Sequence, residues 1–208
     1  MPSRRTATCP ASAAITAAQT TAGSELLTQE NIPLRLYSGA EVFADPSNIR
    51  TLIEQHELIT LGGSRYLLVE FDFGLPGSVL LRTLEAIAQR GLVPVVAHPE
   101  RYDAVQRDPG LAAWCFSRGM LLQLNKGSLL GLLGSRAEDT ALHLLSHGLA
   151  HLIASDAHDD RFRTTGFRSL LPVLEPICHP DYIALLLHGN PRRILRDEPI
   201  PIPPLQSD

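Results

Sequence analysis

Tyr66-Leu67-Leu68-Val69-Glu70-Phe71, the stretch Ser78–Arg90, and Val93-Pro94-Val95-Val96-Ala97-His98 follow one another in the middle of the chain, and their reading decides the fold. The first and last are short, almost uninterrupted apolar runs, the pattern of strands covered on both faces. The middle stretch places Leu80, Leu81, Leu84, Ile87 and Ala88 on one helical stripe and stops at Gly91, a residue suited to the position after a helix. Strand, helix and strand joined by such short loops predict a right-handed unit with parallel strands. The alternation continues outward in both directions. Leu34–Val42, Met120–Asn125 and His151–Ser155 read as further strands. Ser47–His56 (with Ser47 as N-cap), Pro109–Arg118 before Gly119 and Ala137–His147 before Gly148 read as helices. The pattern predicts an α/β fold built on a parallel sheet, either open or closed into a barrel.

The chain has 208 residues, 44% hydrophobic and 19% charged, which suits one soluble globular domain with its own core. Three organisational parts are expected: a disordered or irregular leader over 1–30, the α/β domain over 31–198, and an extended proline-rich tail over 199–208. The leader is rich in Ala, Thr and Ser and lacks hydrophobic periodicity. Its basic start at Arg4 and Arg5 only faintly suggests a targeting peptide, because Thr16, Gln19, Thr20 and Thr21 break the apolar stretch. A net charge of -4 argues against nonspecific binding to nucleic acid or acidic membranes. No apolar run approaches the roughly 18 residues of a membrane span. Cys9, Cys115 and Cys178 are widely spaced and odd in number, which fits a reduced, cytoplasmic setting and no disulfide framework.

Ionisable residues fall where the predicted strands end. Glu41 closes the first, Glu70 the second, His98 follows the third, and Asp156 and His158 follow the last. In parallel α/β folds these carboxyl ends share one rim, where active sites are built. Three carboxylates gathered there would repel one another unless protonated or neutralised by cations. Mixed oxygen and imidazole donors suit manganese, iron or zinc. Each residue also has a plainer reading. Glu41 and Asp156 could cap local turns, His98 could be a hydrogen-bonded structural histidine, and His158 could be a solvated loop residue. Glu70 is harder to explain in that way, because a charge ending an apolar strand is costly unless paired.

Other candidates are weaker. His143, His147 and His151 have i, i+4, i+8 spacing, but Gly148 should end the helix before His151, and no HExxH carboxylate accompanies them. Asn125-Lys126-Gly127-Ser128 is too short for a nucleotide-binding loop. It could line the rim, although an ordinary turn is the simpler reading. Trp114, Cys115 and Phe116 read as core or interface residues. Cys115 lacks an activating neighbour, so a cysteine-nucleophile phosphatase is unsupported.

Gly39-Ala40-Glu41-Val42, Arg65-Tyr66-Leu67-Leu68-Val69-Glu70-Phe71, Ala97-His98-Pro99-Glu100-Arg101-Tyr102, Ala154-Ser155-Asp156-Ala157-His158-Asp159 and a closing Gly189-Asn190-Pro191-Arg192-Arg193-Ile194-Leu195 occur in this order. From about Ile32 to Leu195 the chain resembles the bacterial manganese-dependent protein-tyrosine phosphatases of capsule and exopolysaccharide loci. These belong to the polymerase and histidinol phosphatase (PHP) superfamily. The resemblance implies a distorted (β/α)7 barrel of the TIM-like kind with three metals on its rim. It implies that Glu41 bridges two metals and that Glu70 and His98 complete the second site. Asp156 would serve the first site, His158 the third, and Arg101 would hold the substrate phosphate.

The implied substrate is phosphotyrosine on a membrane-associated bacterial tyrosine kinase that governs polysaccharide export. The family's opening HxH-bearing units have no counterpart before His56, so an incomplete barrel is expected. The reading is a metal-dependent phosphomonoesterase using manganese (Mn2+) or another divalent ion, with Arg101 on the phosphoryl oxygens and His158 or a bound water protonating the leaving group. Two alternatives are a non-catalytic remnant that still docks on the kinase, and a related phosphatase for a small ester such as histidinol phosphate.

Overall fold

The computed structural model describes residues 14–15, 17–54, 59–161 and 163–201. Six strands pair in chain order: β1 (Ala14–Ile15), β2 (Gly39–Phe43), β3 (Tyr66–Glu70), β4 (Val93–Ala97), β5 (Leu121–Asn125) and β6 (Leu152–Ala154). The short β1 is antiparallel to β2, and β2 through β6 are mutually parallel. Helix α1 (Ala17–Gln29) precedes β2. Between the parallel strands lie α2 (Ile49–Glu54), α3 (Gly77–Ala88), α4 (Asp103–Arg107), α5 (Gly110–Ser117), α6 (Lys126–Leu129) and α7 (Ser135–Ser146). After β6 come α8 (Leu171–Leu174), α9 (Pro180–Ala184), a π-helical stretch Leu185–Gly189 and α10 (Asn190–Leu195). A parallel sheet with no strand skipped is wound in one sense, as a barrel wall is, and lacks the reversal of a doubly wound sheet. Among the described residues it remains open, the arrangement expected of an incomplete barrel.

The two faces follow from period-2 alternation. Leu67 and Val69 of β3, Val96 of β4, Leu122 and Leu124 of β5 and Ile153 of β6 belong to the main core. There they meet Leu80, Leu84 and Ile87 of α3 and Ala141, Leu144 and Leu145 of α7. On the other face Tyr66, Val95, Leu121 and Leu152 join Ile194 of α10 in a smaller cluster. The same alternation puts Glu41 and Glu70 on this second face, beyond the apolar rows.

Three local expectations change. The strand expected over Leu34–Val42 starts only at Gly39, and Leu34, Leu36 and Tyr37 are 59%, 40% and 47% exposed. An apolar run becomes a strand only where a ladder partner exists, and the β2–β3 ladder runs over Glu41–Phe43. Part of the expected irregular leader is helical, as α1. Its Ala, Gln, Glu and Leu residues have good helix propensity without needing a strong apolar stripe. Asp45, in place of Ser47, anchors the turn into α2: its carboxylate accepts from the Ser47 N–H at 2.7 Å, and its carbonyl accepts from the Ile49 N–H at 3.0 Å. The end of the helix expected to reach His56, the leader residues 1–13 and 16, and tail residues 202–208 lie outside the described residues.

Candidate metal centre

Glu41 lies opposite Leu68 in the ladder, and Glu70 is two residues further along the same strand. The two carboxylates are therefore diagonal neighbours on one face, a separation that long side chains can close. His98 follows β4 with φ 33° and ψ 57°, a left-handed conformation uncommon for a residue with a Cβ. His98 Nε2 lies 3.3 Å from Glu41 Oε1 and 3.3 Å from Glu70 Oε1. One ligand atom from each of the three residues lies within 4.8 Å of the other two. Asp156, beyond β6, also has positive φ, at 47°. Strained backbone of this kind concentrates at functional sites.

Tyr102 holds two of these strand ends together. Its hydroxyl donates to the Ala97 carbonyl at 2.9 Å and accepts from the Phe71 N–H at 3.2 Å. Those two residues immediately flank His98 and Glu70, so one buried hydroxyl sets the approach of their strands. Glu100, fully buried, accepts from the Asn125 N–H at 3.0 Å and ties β4 to β5 in the same way. Burial pushes its carboxyl pKa up.

Burial opposes protonation of His98, but the hydrogen bonds to Glu41 and Glu70 outweigh it and raise its pKa to about 9. The His98 hydrogen bond in turn holds the Glu70 carboxyl below its ordinary range against the cost of burial, helped by the charges of His98, Arg101 and Arg163. A proton on His98 thus supplies the positive charge that two adjacent carboxylates require. Two carboxylate oxygens and an imidazole nitrogen at this spacing fit a divalent cation, which would take over the role of that proton.

The other expected residues are placed differently. Asp156 accepts from Asn125 Nδ2 at 2.7 Å and pairs closely with Arg163. It stands outside the three-residue grouping. His158 is exposed, and its Nδ1 donates to the Asp156 carbonyl at 2.9 Å. Arg101 lies over the Phe73 ring, its Cζ 4.3 Å from the centroid. Phe73 in turn meets the His98 ring edge-on at 5.8 Å.

Arg163 and Tyr102 are site residues that received no role from sequence reasoning, whereas Asn125 was weighed there as lining the rim, with an ordinary turn as the simpler reading. The only available signals were the position of Arg163 shortly after the Asp156–His158 motif, and Tyr102 and Asn125 standing next to strand-end residues. Asn125 does line the rim and also caps α6 by accepting from the Gly127 N–H at 2.7 Å. Lys126 is almost fully buried and pins the loop beyond His158, donating to the carbonyls of Thr164 and Gly166.

The rival histidine site does not form. The His143 and His147 rings lie 4.1 Å apart, whereas His151 is buried against Leu122. Burial pushes the Cys115 thiol up to about 12, which suits a core residue and not a nucleophile.

Fold and site together define an α/β protein with a candidate carboxylate–imidazole metal site at the carboxyl rim of a sequentially wound parallel sheet. The profile of the capsular polysaccharide synthesis CpsB/CapC family matches residues 2–196, and the chain belongs to that family. It is 29% identical over 174 residues to the tyrosine-protein phosphatase YwqE of Bacillus subtilis, covering 84% of this chain and 68% of that one. It is 28% identical over 165 residues to the tyrosine-protein phosphatase CpsB of Streptococcus pneumoniae, covering 77% and 68%. A crystal structure from work on those two proteins, described there as metal-dependent tyrosine phosphatases, superposes with a TM-score of 0.81 at 27% identity. That match covers 92% of this chain and 76% of the other. The family resemblance drawn from the motifs is thereby borne out.

Proposed function

We propose that this chain is a metal-dependent phosphomonoesterase acting on phosphotyrosine in proteins, with manganese as its cation. Its substrate is a cognate membrane-associated bacterial tyrosine kinase, and its role is to regulate capsular or exopolysaccharide synthesis from the cytoplasm. The observation that carries this reading is the convergence of Glu41, Glu70 and His98 to mutual ligand spacing at the rim, in a chain whose named relatives are tyrosine phosphatases. No helix among the described residues is long and apolar enough to cross a membrane.

Glu41, Glu70 and His98 would hold the cation, and by the family resemblance Asp156 would serve the first metal site and His158 the third. When bound, the cation supplies Lewis-acid neutralisation of phosphoryl oxygens and acidifies water near neutral pH. Arg101, stacked on Phe73, presents a planar fork suited to two phosphoryl oxygens. The same Phe73 ring meets His98 edge-on, so one side chain contacts both the guanidinium and a member of the metal grouping. His158 uses Nδ1–H on the Asp156 carbonyl, so a proton for the departing phenolate comes from Nε2 of its imidazolium form. Asn125 and Arg163 fix the Asp156 carboxylate.

The test is hydrolysis of p-nitrophenyl phosphate and of a phosphotyrosyl peptide by purified, metal-stripped chain to which manganese is returned. The expected result is manganese-dependent turnover, faster on the phosphotyrosyl than on a matched phosphoseryl peptide. Turnover no higher than that of Glu70→Ala would overturn the proposal.

A further inference from the structure

Lys126 opens α6 directly after β5, is 3% exposed and takes no part in the chemistry proposed above. Its ammonium carries three donors. Among the described residues they meet the Thr164 carbonyl, the Gly166 carbonyl at 2.9 Å and Thr164 Oγ1 at 3.4 Å. The Phe167 ring lies 5.9 Å away. All of these partners belong to the loop that follows β6, and none is a carboxylate. An apolar side chain of similar length would fill the same space without the cost of desolvating a charge. What the charge adds is direction: it fixes where the two carbonyls sit relative to the end of β5.

That loop carries Asp156, His158 and Arg163. Its internal bonds hold its shape. The His158 N–H donates to the Arg163 carbonyl at 3.0 Å, and Asp159 Oδ1 accepts from the N–H groups of Arg161 and Arg163 at 2.8 and 3.2 Å. Bonds of that kind move with the loop. Two consecutive residues at the end of β5 tie it to the sheet instead. Asn125 donates to Asp156 at the start of the loop at 2.7 Å, and Lys126 grips Thr164 and Gly166 at its end. Arg163, the residue before Thr164, reaches back to the Asp156 carboxylate.

We infer that Lys126 is a positioning residue for the proposed reaction: by holding Thr164 and Gly166 against the end of β5, it sets where the loop places His158 and Arg163 beside Asp156. The inference rests on the phosphatase reading of the rim. Lys126 touches no reacting group and acts through these three residues. In that reading His158 protonates the departing phenolate, so misplacing the loop matters most for leaving groups that need the proton.

The experiment compares the unsubstituted full chain with Lys126→Met, which keeps an apolar stem and removes the ammonium, both in saturating manganese. The substrates are phenyl phosphate, whose leaving group needs a proton, and p-nitrophenyl phosphate, whose nitrophenolate departs readily without one. The expected result is a fall in kcat on phenyl phosphate of roughly 10–100-fold, the range for loss of a supporting partner. The fall on p-nitrophenyl phosphate should be clearly smaller, and KM should change little. Equal losses on the two substrates, or no loss, overturn the inference. Absence of manganese-dependent turnover in the unsubstituted chain defeats the phosphatase reading itself, and the role of Lys126 with it. Hydrogen exchange read by mass spectrometry is independent of activity. Peptides over 156–166 should be protected in the unsubstituted chain and exchange faster in Lys126→Met, with β3 and β4 unchanged. A loop that is unprotected in the unsubstituted chain overturns the inference even if the variant fails to fold. Faster exchange spread through the sheet overturns it as well and assigns Lys126 to general stability.

Discussion

Tyr102 shows how much of the site depends on a single atom. Its hydroxyl satisfies one N–H and one carbonyl in adjoining strand ends. Tyr102→Phe keeps the ring and strands both partners in a buried setting, so it should cost about 1–3 kcal/mol in urea unfolding. It should also lower manganese affinity by loosening the approach of Glu70 to His98. Unchanged metal affinity in calorimetric titration would show that the strands hold their spacing without it. Glu70→Gln removes a charge from the metal grouping itself. It should weaken manganese binding by at least the roughly 10–100-fold that loss of an outer supporting partner costs, with secondary structure unchanged by circular dichroism.

Among the elements, α3 and α7 were legible because apolar spacing and a terminating glycine agreed. Gly91 and Gly148 adopt φ 81° and 66° where their helices end. Nothing lies within 4 Å of a Cβ built on Gly148, so Gly148→Ala tests conformation alone. It should destabilise by about 1–2 kcal/mol, the cost of a left-handed L-residue. Leu84→Ala, at a site with 0% exposure on the core stripe of α3, should cost more, roughly 2–5 kcal/mol. Chemical denaturation of the two variants checks the order. β2 was legible only in part, since the apolar residues from Leu34 to Tyr37 match a strand pattern but have no ladder partner.

For the whole molecule, His98 and His151 couple stability to pH in opposite senses. In metal-free protein the pKa of His98 rises from 6.5 to about 9. Its contribution, on the order of 3 kcal/mol at most, is complete below about pH 6.5 and is lost as pH rises through about 9. His151 is depressed to about 4, so its contribution is present above about pH 6.5 and is lost as pH falls through about 4. Thermal unfolding of metal-stripped protein should therefore show a melting temperature that declines from pH 6.5 towards 9.5. Saturating manganese should reverse that decline, because the metal requires deprotonated His98 and its affinity grows with pH up to about 9. A melting temperature indifferent to both pH and manganese would contradict the site.

The order of strands and helices, and the presence of chemistry at their ends, were determined by the sequence alone. Period-2 and period-3.6 patterning is a local property, and a charge closing an apolar strand already shows that something must neutralise it. Which of those charges meet was decided only by the tertiary structure. Register made Glu41 and Glu70 diagonal neighbours, and a left-handed turn brought His98 to both. Asp156 was instead given to Arg163 and Asn125, whose side chains arrive from elements that no local pattern relates to it. Patterning sets which face a residue occupies, whereas contact distances depend on stagger, turn geometry and the packing of distant segments.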